Sequence, residues 1–476
     1  MSDDVVHQNP IIGETTPPLY STIETNSKTG VVSRSERSFR DRPFLIVFLV
    51  GVFIFLAQAS WGYLAGEPSL LVNTLDDGGG GIVPLLVLHE NEIMLCFFIV
   101  LLFAIVWIQL LRSELFVHLT LFGGVGLILV LCAGFLLIGN FADDEQSGVP
   151  FFLGFVCFVL FIILFIMLCI YQSEISFTVD LFKQGARSLL ECSGAIFLGI
   201  SFIVMNMLML VFYLSSTPYI LSLTSSCDYN EELPCRGAIT GWLIFTGLFI
   251  WICCFFNGFV QCTIAGSVAS HLYQQDHSGF ASYFRAVYAI GSIAICSLVN
   301  AVVAIIKFLV SILKHMKTDS DNEKVQLFFC IVYCCVICLE TGVKFISNYA
   351  YIFIAKDGSS FFGASKQAWR MIREGPFSVA LTKTLSGIVM LIAKVIGMLI
   401  AVITSFFILE IDSISVSLAI MAMAYLIMSI ACRFVMVAVD TVLICWYSEE
   451  IENEMFMNDF VHHVDQFAPK VEENRV

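Results

Sequence analysis

Pro43 to Tyr63 reads PFLIVFLVGVFIFLAQASWGY, a run in which Gln58 and Ser60 are the only strongly polar side chains. A helix of about 20 apolar residues spans a hydrocarbon core of roughly 30 Å, so this stretch reads as a membrane crossing. Nine more stretches of the same kind follow: Ile93 to Leu111, Leu115 to Gly139, Phe151 to Tyr171, Leu189 to Leu214, Trp242 to His271, Tyr283 to Leu313, Val325 to Ile354, Ser378 to Leu409 and Ser415 to Tyr447. Little chain is left for anything else. The expectation is an all-α polytopic membrane protein with ten transmembrane helices. Residues 1-42 form a disordered tail, 43-448 the ten-helix transmembrane domain and 449-476 a second tail.

Composition supports this reading. The chain is 58% hydrophobic and 13% charged, against about 25% charged in an average soluble domain, and its mean hydropathy is +0.88. No cleavable signal peptide precedes the first apolar run, since Met1 to Arg40 is polar and rich in Ser, Thr and Pro. Pro17 to Tyr20 resembles a sorting or adaptor signal, but short motifs of this kind recur by chance in disordered tails.

Lys and Arg in short loops are retained in the cytoplasm. With both tails cytosolic, the inner segments hold Lys28, Arg34, Arg37, Arg40, Arg42, Arg112, Lys183, Arg187, Arg285, Lys356, Lys366, Arg370, Arg373, Lys470 and Arg475, whereas the outer loops hold Arg236, Lys314, Lys317 and Lys324. The outer loops are acidic, with Asp143, Asp144, Glu145, Asp319, Asp321 and Glu323 among their residues, and carry most of the net charge of −15. Such a face concentrates cations; the plainer alternative is a solubilising surface.

All but two of the 17 cysteines lie in apolar runs, where Cys behaves as a small hydrophobe. Cys227 and Cys235 share an outer loop and read as a disulfide in an oxidising space. Cys330, Cys334, Cys335 and Cys338 lie on one helix without His partners, so no metal site is expected. No P-loop and no basic stripe occur, which argues against ATP hydrolysis, nucleic acid and any cofactor.

Ionisable residues inside a membrane helix cost about 3 kcal/mol on insertion scales and point to function. Glu340 and Lys344 are four residues apart on the eighth run and can pair. Arg433 and Asp440 share a face of the last one. Asn206, Asn257, Gln261 and Asn300 recur near mid-helix, as ligands or as glue worth roughly 0.6 kcal/mol each. Trp61, Tyr63 and Trp242 suit the membrane interface, whereas Trp251 and Tyr425 lie deeper. Gly258, Ala265, Gly266, Ala269 and Ser270, with Gly123, Gly124 and Gly126, fit close helix packing.

Several segments together resemble the choline transporter-like solute carrier family, in a compact branch like those of fungi and plants. They are Phe39-Arg40-Asp41, Gln261-Cys-Thr-Ile-Ala-Gly266 with Ser267-Val-Ala269, and Tyr351-Ile-Phe-Ile-Ala355 with Gly358, Ser360-Phe361, Lys366 and Ala368-Trp369. Glu340, Lys344, Val439-Asp440-Thr441, Cys445 and the acidic run Glu449 to Asn453 also fall on family positions. Two departures stand out: Asn348-Tyr-Ala-Tyr351 lacks the family's arginine, and the first outer loop, Leu64 to Glu92, is short.

The resemblance implies ten helices, cytosolic tails and facilitated movement of choline. A quaternary ammonium offers no hydrogen bond through its nitrogen, so its site needs aromatic faces, worth about 0.5 to 2 kcal/mol each. Trp251 and Tyr425 are the candidates, with Asn257, Gln261 or Asn300 for the hydroxyl. Glu340, Lys344, Arg433 and Asp440 are expected to serve coupling or structure. The expected partners are a small organic cation and membrane lipids; oligomeric state is left open. The expected mechanism is alternating access without ATP, in the plasma membrane or, alternatively, an organelle. Ethanolamine, a thiamine derivative or an anion drawn to Lys307, Lys383, Lys394 and Arg433 are rival substrates. A non-transporting scaffold or lipid sensor is the rival class.

Overall fold

A computed structural model describes residues 31–32, 37, 39–66, 90–141, 148–170, 172–223, 236–275, 278–317, 323–374, 377–408 and 414–447. Cys227, Cys235, Pro17 to Tyr20 and the C-terminal tail lie outside these residues. The described chain is helical and contains no strand: α1 Arg42–Ala65, α2 Glu90–Leu110, α3 Glu114–Phe141, α4 Gly148–Ile170, α5 Gln172–Glu191, α6 Ser193–Leu221, α7 Arg236–Leu272, α8 Gly279–Tyr288, α9 Ile290–Lys317, α10 Glu323–Asp357, α11 Phe361–Glu374, α12 Phe377–Ile403, a π-helical turn Thr404–Ile408, and α13 Ile414–Tyr447.

The described residues of each of the ten apolar stretches are largely helical. Among the described residues, eight helices are long and apolar enough to cross a membrane: α1, α3, α6, α7, α9, α10, α12 and α13. Met94–Leu110 and Gly154–Ile163 form shorter apolar segments of α2 and α4. The protein is an integral, multi-pass membrane protein.

Two boundaries differ from the sequence reading. The seventh stretch is not one helix from Tyr283: α8 ends at Tyr288, and the membrane helix starts at Ile290. The run is apolar on both sides of the break, so hydropathy alone does not reveal it. Likewise Leu189 belongs to α5, and α6 begins only at Ser193.

The long helix α7 is the hub, packed against α1, α6, α8, α9, α10 and α13, while α13 also packs against α2, α5 and α12. Phenylalanine supplies much of the seam around α1. Phe48 stacks on Phe255 at 4.0 Å and Phe55 on Phe245 at 4.5 Å, joining α1 to α7. Offset aromatic pairs of this kind add about 0.5–1.5 kcal/mol beyond their buried area.

Where backbones approach most closely the residue is glycine. A Cβ on Gly258 would stand 2.6 Å from the Tyr351 hydroxyl, so this position lets α7 meet α10. Gly124 plays the same part against Ile392 between α3 and α12, whereas Gly123 and Gly126 face open space. Hydroxyls of Thr246, Thr263, Ser270, Thr404 and Thr441 bond a carbonyl four residues back in their own helix. Polar groups in lipid must be satisfied locally, and these are.

Candidate functional site

The polar side chains of the spans are brought together at the contacts of α7, α9, α10, α12 and α13. Asn257 donates through Nδ2 to the Cys253 carbonyl at 2.9 Å. That leaves Oδ1 to accept from Arg433 Nη1 at 2.8 Å, which ties α7 to α13. Cys254, next in sequence, feels the charges of both Lys344 on α10 and Arg433 on α13.

Glu340 on α10 is held twice. Lys344 Nζ lies 2.6 Å from one carboxylate oxygen and Lys307 Nζ, from α9, 2.8 Å from the other. The spacing rule foretold the first contact; the second comes from another helix. Asp440 is buried on α13 and pairs with Lys383 of α12, not with Arg433 on its own face. Lys383 Nζ also stands 5.7 Å above the ring of Tyr349. Deep in the described spans the bases Lys307, Lys344, Lys383, Lys394 and Arg433 therefore outnumber the acids Glu340 and Asp440.

The two deep aromatic candidates are not brought together. Trp251 packs toward α1 and α9: its ring meets Phe48 edge-on at 5.5 Å, and its indole N–H donates to the Ala294 carbonyl at 3.3 Å. Gly51 makes room for it, since a Cβ there would lie 2.9 Å from the indole. Tyr425 faces α12, with Lys394 Nζ 5.6 Å from the centre of its ring. A tyrosine face is thus already turned to an ammonium group.

Gln261 Oε1 and Asn300 Oδ1 are buried without a hydrogen-bond partner. An unsatisfied buried acceptor costs about 1–3 kcal/mol, so each is poised for a donor. Asn206 donates its amide nitrogen to the Phe202 carbonyl in its own helix, while its Oδ1 is also buried without a partner. Among the described residues no three His, Cys, Asp or Glu side chains converge as a metal site would require.

A second polar cluster closes the end of the bundle where α1 begins. Arg37 is buried, and its guanidinium donates to the carbonyls of Val32, Ile354, Ala355 and Lys356. It thereby caps the last turn of α10, where Gly358 turns the chain with φ of 62°. Carbonyls at a helix C-terminus favour a cation. Burial, with the neighbouring Arg285 charge, pulls the Arg37 pKa down to about 10, so it stays cationic at neutral pH. Asp41 accepts from Ser292 Oγ at 2.7 Å and from the Phe361 N–H at 3.0 Å, linking the starts of α9 and α11. Neither residue is distinguished by hydropathy; only the Phe39-Arg40-Asp41 match pointed here.

A family model described as plasma-membrane choline transporter matches residues 155–450, a range that holds Asn257, Gln261, Asn300, Glu340, Tyr425, Arg433 and Asp440 but not Phe48, Gly51, Arg37 or Asp41. The chain belongs to this choline transporter family. A CTL-like protein of Dictyostelium discoideum is 22% identical, over 90% of this chain and 87% of its own length. Choline transporter-like protein 1 of Caenorhabditis elegans is 32% identical over 31% of this chain and 20% of its own. Choline transporter-like protein 5 of Xenopus tropicalis is 31% identical over 31% and 22%. The match to these animal members of the family thus spans about a fifth of their length.

Proposed function

We propose that this member of the family carries choline, or a closely related organic cation, across the plasma membrane through ten transmembrane helices with both tails cytosolic. The cycle is alternating access, driven by the substrate gradient and the membrane potential, which is worth about 2.3 kcal/mol per charge per 100 mV. The observation that carries the reading is that two polar side chains of neighbouring helices α7 and α9, Gln261 and Asn300, each hold a buried acceptor oxygen without a donor. A choline hydroxyl is a donor that such oxygens lack. Tyr425 offers the ring face for the trimethylammonium, in place of Lys394. Trp251, engaged with Ala294 and Phe48, positions α1 against α7 in this reading. Asn257 holds Arg433 in place.

The polar contacts suggest how the access could alternate. Lys383–Asp440 joins α12 to α13, and Arg433–Asn257 joins α13 to α7. Remaking such contacts costs little when each partner is offered another. Glu340 and Asp440 remain the residues for proton coupling, if flux proves to depend on pH.

One observation favours a second substrate class. Arg433 and Lys394 face an amide and a ring, and no carboxylate among the described residues pairs with them. A substrate carrying phosphate or carboxylate would find its counter-charge there. Uptake of radiolabelled choline into proteoliposomes decides between the two. Saturable uptake, competed by ethanolamine more weakly than by choline itself and reduced at least tenfold by Gln261→Leu, is expected. Uptake no faster than in empty vesicles would overturn the choline reading, and uptake competed by phosphorylated analogues alone would favour the second.

A further inference from the structure

Helix α11 is absorbed by none of the clusters above. It is strung between two membrane helices, with three residues between Asp357, which ends α10, and its own start, and two between its end and Phe377, which begins α12. Both tethers are too short to let it leave the bilayer surface. It packs on α10 and α9 through Ala364, Ala368 and Met371, all buried.

Its other side is open and has two characters. Phe362 is 64% exposed and Trp369 is 55% exposed. Lys366, Arg370 and Arg373 are exposed beside them. Residues 362, 366, 369 and 373 follow the i, i+4, i+7, i+11 spacing of a single helix face. Among the side chains the structure describes, no carboxylate pairs with Lys366, Arg370 or Arg373. A face that exposed two large aromatic rings to water would be costly. Rings at the depth of the glycerol backbone with cations at the phosphates remove that cost.

We propose that α11 is a docking surface for anionic phospholipid headgroups: Phe362 and Trp369 enter the interface, and Lys366, Arg370 and Arg373 hold the phosphates and carboxylates. Charge complementarity identifies the occupant. Zwitterionic lipid offers the same apolar boundary but no net charge, so three bases on one face select phosphatidylserine-like lipid over phosphatidylcholine. The tie from α11 through Phe361 N–H to Asp41 passes that occupancy to the end of α1.

The test uses the full-length protein in mixed phosphatidylcholine–phosphatidylserine vesicles of one composition, with the same amount of bromine carried either on the phosphatidylcholine alone or on the phosphatidylserine alone. The fluorescence lost on Trp369→Phe isolates Trp369 from the other tryptophans. Stronger quenching of Trp369 by bromine on phosphatidylserine than by bromine on phosphatidylcholine is expected. Lys366→Gln/Arg370→Gln/Arg373→Gln should abolish the difference, since each base is worth about fivefold in local anionic-lipid affinity. Unchanged melting of that triple variant in pure phosphatidylcholine would show that it folds. Single variants at Lys366 and Arg373, each lowering the preference about fivefold, carry the test if the triple does not fold. Equal quenching in both vesicles, no quenching in either, or a preference that survives the triple variant would overturn the proposal. No substrate enters the measurement, so its failure leaves the transport reading untouched.

Discussion

Glu340 and Asp440 are the same functional group in the same bilayer, and the helices around them treat them differently. Glu340 is shared by Lys307 and Lys344, whose side chains are 38% and 57% exposed. Asp440 is buried against a single lysine, Lys383, whose side chain is 19% exposed. The first arrangement has redundancy, with two cations on one carboxylate. The second has none. Removing one partner of a buried pair strands the other, and the cost is far larger than the net worth of the pair.

Lys383→Met tests the difference most severely. It should destabilise the protein by about 3–5 kcal/mol, seen as a large fall in melting temperature in detergent. Adding Asp440→Asn should restore most of the loss, because it removes the stranded charge. A single variant as stable as the double would mean that Asp440 has water or another cation beside it. Glu340→Gln comes next. It leaves Lys307 and Lys344 without their shared counter-charge, and a smaller loss than for Lys383→Met is expected, because neither lysine is buried as Asp440 is. Lys344→Met should cost below about 1 kcal/mol, since Lys307 still neutralises the carboxylate. If Lys344→Met and Lys383→Met melt alike, the contrast between the two sites is wrong.

The two sites also differ in how far the sequence revealed them. Glu340–Lys344 lies on one helix at a spacing of four, which is local geometry. Lys307 and Lys383 come from other helices, and no spacing predicts an inter-helix partner. The same limit explains why Arg433 was placed with Asp440: seven residues put both on one face, but that face is wide enough for Arg433 to meet α7 and Asp440 to meet α12. Of the fold, the apolar runs located each membrane helix, because the bilayer imposes both length and composition. They did not locate α5, α8 or α11. Those helices are amphipathic or short, and their signal is a 3.6-residue charge pattern such as Lys366, Arg370 and Arg373, which a search for apolar runs passes over.

Glu191, at the end of α5, extends the comparison to an acid outside the spans and should show the smallest effect. Burial raises its pKa, but Arg187 at 3.1 Å and the contact with His271 outweigh that and hold it below its usual 4.5. Its folded-state value is thus lower than its unfolded one. The folded state then binds fewer protons, so the contribution is fully present above the unfolded value and is lost as pH falls through the depressed one. With 40% of the side chain exposed, screening keeps it below about 1 kcal/mol. Melting curves from pH 7 down to about pH 4 should fall slightly more for the native chain than for Glu191→Gln. The opposite ordering would mean that burial, and not the contacts with Arg187 and His271, governs this carboxylate, placing it in the same class as Asp440 without its lysine.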